Sequence, residues 1–332
     1  MGAVTTHHLL ALDGGNSKTD VLLLTGDGTV VARAKAGPFA PHIVGATTAV
    51  AGLAAAVAEA LAAAGIARAD LVAGYLANAD LPEEETAIAA AISDLGWGGH
   101  VVVENDTLAM LRAGTDAPVA VAVVCGGGIN GVGVGRDGAR VRFPALGRAT
   151  GDWGGGFGLA KEALFHAARA EDGRGAPTAL APAIAVHFDV ALAVDVATGM
   201  HLGHIDRDRM HELVPVLFAV ADAGDPLAVE VVDRQADEIA LIATAAIRRL
   251  DLADAAVTVV LGGGVMRGGT GALLARVHQR ILEVAPLADI SLVDDAPVLG
   301  SALLGLEHLD RIVGTTGDAA ARRARLRATL LP

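Results

Sequence analysis

Short apolar runs of strand length alternate along the chain with longer stretches of helical periodicity. His8 to Leu12, Leu71 to Leu76 and Val101 to Val103 are runs of the first kind, whereas Thr47 to Ala64 has a helical period and stops at Gly65. Glycine directly after the last periodic residue is a frequent helix end. Strands that alternate with helices in this way predict an α/β fold with mixed sheets.

The opening pattern of the chain occurs twice. A strand, a glycine turn and two further strands begin at His8, and the same order begins again at Val119. A repeated supersecondary unit at about one domain's spacing predicts two lobes, which we place at residues 1–116 and 117–332. A basic amphipathic helix is predicted for Asp318 to Leu330. This division allows that helix to pack on the first lobe.

Composition argues against two classes of binding partner. The chain has 332 residues, a formal net charge of -13 and only 3% aromatic residues. An acidic surface with few aromatic side chains is poorly suited to nucleic acid or to an anionic membrane. We therefore expect neither partner, although backbone N–H groups remain able to bind a phosphate locally.

Cys125 is the single cysteine of the chain, so an intrachain disulfide and a four-cysteine metal or iron–sulfur site are excluded. This cysteine usage fits a cytoplasmic protein. Met1 to His8 has no basic segment followed by an apolar core, and we expect no signal peptide there. The apolar stretches are too short to span a bilayer. The abundance of alanine and glycine suggests a bacterial source.

Glycine-rich turns follow three buried strands. Glycine lets backbone N–H groups approach phosphate closely, but one such turn alone is weak evidence. None of them is a Walker A loop or a dinucleotide fingerprint. Taken together they predict a nucleotide held between two domains. They are Gly14-Gly15-Asn16-Ser17-Lys18-Thr19, Gly126-Gly127-Gly128 and Gly262-Gly263-Gly264.

Asp13 closes the first strand beside the first glycine turn. A carboxylate there predicts a Mg²⁺ site, reached through water because magnesium keeps much of its hydration shell. The alternative is an Asp that only forms the turn. For Lys18 and Thr19, contact with phosphate and a place at the start of the second strand are both open.

Asp106 ends a strand and begins a helix. A carboxylate at that position is a candidate general base, since phosphoryl transfer needs an acceptor oxygen that is aligned and loses a proton. The alternative is helix capping by Asn105 or Asp106. Position alone does not separate these roles.

The glycine-rich stretch Gly147 to Gly156 joins a strand to a helix. Within it, Asp152 is a candidate to bind a sugar hydroxyl or to cap the helix. Trp153 is a candidate to stack on a sugar face or to fill the hinge. His201 and His204 lack the surrounding ligands of a metal site and are interpreted as surface or packing residues.

The motifs in this order resemble the N-acetylglucosamine kinases and their relatives among the BadF/BadG-type ATPases, within the sugar kinase, Hsp70 and actin superfamily. The similarity extends over nearly the whole chain. It implies a two-lobed actin-like ATPase (ribonuclease H-like) fold with ATP in the interdomain cleft. The segments that carry it are Leu12 to Thr19, Glu104 to Asp106, Cys125 to Asn130, Gly147 to Gly156, Val260 to Met266 and Leu299 to Ala302.

The resemblance implies a role for each candidate residue. Asp106 would be the catalytic base, Asp13 would bind Mg²⁺, and the first two glycine turns would bind the phosphates of ATP. Gly262 to Gly264 would border the adenosine. Relatives also suggest a homodimer. The residues implied to contact the sugar are Asn105, Asp106, Asn130, Asp152 and Trp153.

The departures from the family pattern lie in segments that the resemblance places near the sugar, which accepts the phosphoryl group. Gly37 to His42 lacks the asparagine often found there, Leu146 replaces a tryptophan, and Trp153 replaces a glutamate. N-acetylglucosamine, a related amino sugar, another hexose and a cyclitol are therefore open as acceptors, with the C6 hydroxyl expected to react. The alternative function is a non-catalytic or ATPase-switch protein that binds nucleotide or sugar.

The single cysteine separates this chain from two other branches of the superfamily. It excludes a zinc-binding cysteine cluster such as some sugar kinases carry. It also argues against a dehydratase activator, which uses cysteines for an iron–sulfur cluster shared across a dimer.

Overall fold

The computed structural model describes residues 6–330, which divide into two compact units. The first unit contains the residues up to Ala117 together with those from Val293 onward, and the second contains Pro118–Leu292. The expectation of no signal peptide falls partly on residues 1–5, which lie outside the described residues.

Each unit is built on a five-stranded mixed sheet. The first sheet contains β1 (His8–Gly14), β2 (Thr19–Thr25), β3 (Val30–Ala36), β4 (Ala69–Leu76) and β5 (Gly98–Asn105). The second contains β6 (Ala120–Cys125), β7 (Ile129–Val134), β8 (Arg140–Arg142), β9 (Thr258–Gly262) and β10 (Asp289–Leu292).

The α-helices of the described residues are α1 (Pro41–Val44), α2 (Ala46–Ala51), α3 (Ala54–Ala63), α4 (Pro82–Asp94), α5 (Asp106–Gly114), α6 (Gly155–Glu171), α7 (Leu180–Phe188), α8 (Ala193–Leu202), α9 (Leu213–Asp222), α10 (Pro226–Arg249), α11 (Gly264–Gly268), α12 (Gly271–Leu282), α13 (Pro297–Val313) and α14 (Ala319–Leu330). Short 3₁₀ helices span Gly147–Thr150 and Arg207–Glu212.

The two sheets share one topology. The order β3-β2-β1-β4-β5 in the first unit corresponds to β8-β7-β6-β9-β10 in the second. In each sheet the first three strands pair antiparallel, and the last two are added by parallel pairing. The correspondence confirms the repeat predicted from the sequence. Parallel pairing also brings the carboxyl ends of β1, β4 and β5 to one edge of the first sheet, and those of β6, β9 and β10 to one edge of the second.

The last two helices belong to the first unit, because α13 packs against β1, β4 and α5. Two glycines of α13 permit this close packing. A Cβ on Gly300 would lie 1.8 Å from the carbonyl oxygen of Ala109, and one on Gly305 would lie 2.7 Å from Cδ2 of Leu9. The sequence-based division placed all of residues 117–332 in the second lobe and let only the C-terminal helix pack back. The structure assigns α13 to the first unit as well.

Each unit has its own apolar core. In the first unit, side chains of β1, β2 and β4 pack with those of α2, α3 and α4. In the second unit, β6 and β9 pack with helices α6 to α10 and with α12. Burial of these apolar faces is the main favourable contribution to the stability of each sheet.

Residues 6–330 include no single helix with both the length and the apolar character to cross a membrane. By length and composition alone, the bent pair of α7 and α8 meets that test together.

Candidate functional site

The first glycine turn joins β1 to β2 in the first unit. Gly14 ends β1 opposite Thr19, the first residue of β2. Between them the N–H of Gly15 donates to the carbonyl of Lys18 at 2.8 Å, and the side chains of residues 16–18 are exposed. The turn therefore presents polar side chains at the carboxyl edge of β1, as a ligand-binding turn requires.

Two residues of this turn are explained by packing. Thr19 is fully buried, and its hydroxyl donates to the carbonyl of Gly37 at 3.0 Å. A Cβ on Gly14 would lie 2.6 Å from Cδ2 of Leu76. The sequence leaves both roles open for Thr19, and this hydrogen bond favours a structural place at the start of β2 over contact with phosphate.

Asp13 lies opposite Asp20 across the β1–β2 hairpin, and Asp106 is within electrostatic range of it. Burial raises the pKa of Asp13 to about 8, and the charges of Asp106 and Asp20 add to that rise while Lys18 opposes it. The Lys18 ammonium also contacts the Asp20 carboxylate. Asp20 is absent from the residues predicted from the sequence, although hairpin register alone places it opposite Asp13.

Asn105 is the N-cap of α5. Its side-chain oxygen accepts from the N–H of Thr107 at 3.0 Å and from the Thr107 hydroxyl at 2.5 Å. Its Nδ2 donates to Asp80 at 2.9 Å. Asp106 is the first residue of the helix and does not act as its cap. Burial raises the pKa of Asp106 to about 6, against the lowering effect of a hydrogen bond from the Thr107 backbone.

The acids of the first unit fit a hydrated Mg²⁺ ion better than a protein-enclosed one. Within residues 6–330, no group of three or more His, Cys, Asp or Glu side chains is arranged to hold a metal ion. Asp13 is instead a single carboxylate beside the exposed side chains of the first glycine turn. One protein carboxylate suits magnesium that takes its remaining ligands from water and phosphate.

The second glycine turn joins β6 to β7 in the second unit. Inside it the N–H of Gly126 donates to the carbonyl of Gly128 at 2.9 Å. A Cβ on either residue would have no neighbour within 4 Å. Packing does not require glycine at these two positions, which leaves a close approach by a ligand as a reason for it.

Three glycine-rich segments of the second unit meet at this turn. Gly156 at the start of α6 donates from its N–H to the carbonyl of Gly126 at 2.7 Å. A Cβ on Gly155 would lie 2.6 Å from backbone atoms of Gly128, and one on Gly263 would lie 2.3 Å from the carbonyl oxygen of Cys125. The segments that were separate motifs in the sequence are therefore in backbone contact.

Gly262 and Gly264 flank this contact. Gly262 is the last residue of β9, and Gly264 is the first of α11. A Cβ on Gly264 would meet nothing within 4 Å. The structure thus places the predicted adenosine motif beside the second glycine turn within one unit.

Two of the predicted sugar contacts in the second unit are partly exposed. Asn130 pairs with Val124 in the β6–β7 hairpin and is partly exposed. Asp152 is also partly exposed and accepts from the Thr150 hydroxyl at 2.6 Å. It does not cap α6, because Gly154 occupies the N-cap.

Trp153 lies in the core of the second unit with 6% of its surface exposed. The guanidinium carbon of Arg234 lies 4.2 Å from the centroid of its ring. Because the core and this cation cover the indole, the structure supports the packing role and corrects the expectation that Trp153 stacks on a sugar.

Gln235 of α10 was not among the residues predicted from the sequence. It is fully buried, and its Oε1 accepts from the N–H of Gly155 at 2.8 Å. A Cβ on Gly154 would lie 2.1 Å from the same oxygen. Gln235 therefore holds the backbone that braces the second glycine turn. The available signal was a polar residue at a core position of an amphipathic helix.

Cys125 is a buried free thiol at the end of β6. Burial raises its pKa to about 12, so the thiol stays protonated at neutral pH. This agrees with the interpretation of Cys125 as a small buried apolar residue. His201 and His204 are both exposed, as expected for surface residues.

Two curated proteins are similar to this chain in sequence. One is an N-acetyl-D-glucosamine kinase of Dictyostelium discoideum, 26% identical over 216 residues, which are 64% of this chain and 67% of that protein. The other is an N-acetylmuramic acid/N-acetylglucosamine kinase of Clostridium acetobutylicum, 25% identical over 190 residues. Those residues are 57% of this chain and 62% of that protein, which is less than two thirds of its length.

A solved structure is similar over most of the chain. It is a provisionally named N-acetylglucosamine kinase of Chromobacterium violaceum, with a TM-score of 0.68 and 19% identity. The match covers 90% of this chain and 99% of that one. The similarity confirms the α/β actin-like ATPase fold predicted from the sequence.

The family model provides the remaining comparison. The model of the BadF/BadG/BcrA/BcrD ATPase family matches residues 10–305. The matched range includes the three glycine turns, Asp13 and Asp106, and it crosses both units. The chain therefore belongs to the BadF/BadG/BcrA/BcrD ATPase family.

Proposed function

We propose that this protein is an ATP-dependent kinase that phosphorylates a hydroxyl of N-acetylglucosamine or of a related amino sugar or hexose. One observation carries the proposal. Asn105 caps α5, so the half-buried carboxylate of Asp106, directly after β5, is not used as the helix cap. The ATPase family and the names of the two sequence relatives support the same reaction.

Asp106 acts as the general base in this proposal. With a pKa of about 6 it is mostly ionised at neutral pH, yet it is basic enough to accept a proton. It orients the acceptor hydroxyl, which we assign as the primary one at C6. As the sugar oxygen bonds to the γ-phosphorus, the bond from phosphorus to the bridging oxygen breaks, ADP leaves, and the hydroxyl proton passes to Asp106.

The glycine turns bind the nucleotide in this proposal. We assign phosphate contacts to the exposed residues of the first turn, Gly15 to Lys18, and to Gly126 to Gly128. We assign the border of the adenosine to Gly262 to Gly264. Asp13 would hold Mg²⁺, which when bound supplies positive charge to the phosphate oxygens.

Sugar contacts are assigned to Asn130 and Asp152, whose side chains are partly exposed, and to Asp106. Asn105 contributes by fixing the start of α5. Trp153 supports the segment that carries Asp152 from within the core. The resemblance also supports a homodimer, which sedimentation would test, and the single cysteine supports a cytoplasmic location, which cell fractionation would test.

The test is ADP release in a coupled assay with wild type and Asp106→Asn. The acceptors are N-acetylglucosamine, glucosamine, N-acetylmannosamine, glucose and a set of cyclitols. We expect sugar-dependent turnover that falls by about 10²-fold or more in the variant, while nucleotide binding is nearly unchanged.

Turnover without sugar dependence would instead indicate an ATPase switch. Nucleotide binding without turnover would indicate a sensor. Strong residual turnover in Asp106→Asn would remove the assignment of the base.

A further inference from the structure

Asn78 is a non-glycine residue with a left-handed backbone, and it follows β4 at the edge where the first glycine turn lies. Its φ is 62°. Asn tolerates this region better than most residues because its short side chain bonds locally. Two other residues with positive φ, Asp189 and Asp251, lie at helix ends. Asn78 lies in the turn after β4, where Asn accommodates a positive φ.

The Asn78 side chain links two segments of the first unit. Its Nδ2 donates to Oδ1 of Asn16 at 2.9 Å and to the carbonyl oxygen of Phe39 at 3.0 Å. An amide nitrogen has two hydrogens, and both are used here. With this left-handed backbone, one side chain reaches both acceptors.

Backbone hydrogen bonds also join the first glycine turn to the segments that contain Ala77 and Phe39. The N–H of Ala77 donates to the carbonyl of Gly14 at 2.7 Å, and the N–H of Phe39 donates to the carbonyl of Gly15 at 2.9 Å. Phe39 itself is fully buried. Its carbonyl is therefore a fixed acceptor for the Asn78 amide.

The Phe39 carbonyl determines the orientation of both side-chain amides. A carbonyl oxygen only accepts, so the group of Asn78 that faces it is the NH₂. The same NH₂ faces Asn16, so the Asn16 atom on that side is its oxygen. The NH₂ of Asn16 then lies on the opposite side of the amide, in an exposed turn.

We propose that Asn78 is a positioning residue that orients the Asn16 amide so that it offers N–H donors, and not its oxygen, to a nucleotide phosphate. The inference rests on the proposed function only in taking the first glycine turn as a nucleotide site. Phosphate oxygens accept hydrogen bonds, so the donor face attracts the ligand and the oxygen face repels it.

The experiment measures the Kd of AMP-PNP with Mg²⁺ by calorimetry. Asn78→Gly keeps the left-handed backbone and removes the side chain, and we expect affinity to weaken by about threefold to tenfold, the range for one lost orienting hydrogen bond. Asn78→Asp places acceptors on both Asn16 and Phe39 and favours the reversed Asn16 amide, so we expect a loss of about tenfold or more.

A double-mutant cycle with Asn16→Ala separates orientation from charge. If Asn78 acts through the Asn16 amide, Asn78→Gly and Asn78→Asp have little further effect once Asn16 is Ala. An equal loss from Asn78→Asp in both backgrounds would show simple charge repulsion and overturn the proposal. Unchanged affinity in Asn78→Gly would also overturn it.

Two controls keep the outcomes distinct. Thermal unfolding of Asn78→Gly, monitored by circular dichroism, is expected to keep one cooperative transition at a lower midpoint, since glycine adopts positive φ readily but the two side-chain hydrogen bonds are lost. A wild-type protein that binds AMP-PNP while the Asn78 variants bind equally well removes this inference alone. A wild-type protein that does not bind AMP-PNP removes the inference and the proposed function together.

Discussion

Asn105 accepts the hydrogen bond from the N–H of Thr107 at 3.0 Å that caps α5. The neighbouring Asp106 therefore begins the helix without capping it. Asp and Asn are about equally good caps, so the pair of residues in the sequence leaves the assignment open. In the structure the Asn105 side chain fixes the helix start, and the Asp106 carboxylate is not the N-cap, as its proposed role as the base requires.

Asn105→Ala tests this division. We expect the free energy of unfolding to fall by about 1–3 kcal/mol, because the buried side chain also bonds Asp80 and the Thr107 hydroxyl. We also expect kcat to fall by roughly threefold to tenfold with little change in the KM for ATP, because the start of α5 positions Asp106. Thermal unfolding and steady-state kinetics measure the two effects.

Thr270→Ala is the matched control. The Thr270 hydroxyl caps α12 in the second unit by accepting from the N–H of Leu273 at 3.2 Å. We expect a loss of stability of about 1 kcal/mol and an unchanged kcat. Equal losses of kcat in both variants would mean that Asn105 matters only for folding.

Much of the fold follows from local pattern, and the exceptions have local causes. The helix predicted over Thr47 to Ala64 is two helices, α2 and α3, interrupted at Gly52 and Leu53. Alanine favours helix on both sides of the interruption, which hides it in the sequence. Helix α8 was not predicted. Its ten residues are mostly small or apolar, and they lack the long polar face that would reveal a helical period.

Asp13 and Asp20 provide a second test, through the magnesium dependence of turnover. Asp13→Asn removes the carboxylate assigned to the ion, and we expect the half-saturating Mg²⁺ concentration to rise about tenfold or more. Asp20→Asn is the comparison, because Asp20 contacts Lys18 across the same hairpin. We expect its effect to stay within about threefold.

A binding readout accompanies the kinetics. Titration of Mn²⁺ into the protein with ADP, followed by electron paramagnetic resonance, reports the ion without turnover. A Mg²⁺ titration unchanged in Asp13→Asn would leave Asp13 as a turn residue only. Equal effects in both variants would point to net charge as the cause.

In the candidate site, too, some features follow from local sequence motifs and others from contacts between residues far apart in the chain. The glycine turns and Asp106 stand in motifs that a reader of the sequence can find. Trp153 contacts Arg234, and Gly155 is held by Gln235. Both partners lie in α10, about 80 residues further along the chain, so neither relationship is visible in a local pattern.

Gly155 and Gly158 give a third test, on the second glycine turn. Gly155 has a φ of 68°, and its Cβ would lie 2.6 Å from backbone atoms of Gly128, which have little freedom to move. Gly155→Ala should therefore shift the turn, weaken AMP-PNP binding by about tenfold or more, and cost roughly 2 kcal/mol or more of stability. Calorimetry and thermal unfolding measure these.

Gly158→Ala is the control on the same helix. A Cβ on Gly158 meets nothing within 4 Å. Alanine there should leave nucleotide binding unchanged and stabilise the protein by about 0.4–1 kcal/mol. Normal binding in Gly155→Ala would show that the bracing of Gly128 has no part in nucleotide affinity.

Two arginines of α14 give the last test, on what holds this helix to the first unit. Arg322 is buried, donates to both oxygens of Asp310 at 2.6 and 2.9 Å, and contacts the carbonyl of Gly26. Arg325 pairs with Asp27 at the surface. We expect Arg322→Met to cost about 3 kcal/mol, because it leaves a partly buried carboxylate unpaired. Arg325→Met should cost less than about 1 kcal/mol.

The pH dependence of stability tests whether Arg322 acts through its ion pair with Asp310. The hydrogen bond from Arg322, with smaller contributions from the Gly317 N–H and the Thr315 hydroxyl, lowers the pKa of Asp310 from 3.8 to about 2 against the opposing effect of burial. The folded protein therefore binds fewer protons here than the unfolded chain, so the contribution is complete above about pH 4 and is lost as pH falls through 2. Thermal unfolding at pH 7, 5 and 3 should show a difference between wild type and Arg322→Met that is constant at the two higher values and smaller at the lowest. A difference that does not shrink at low pH would mean that Arg322 stabilises α14 through its contact with Gly26 and through packing, and not through Asp310.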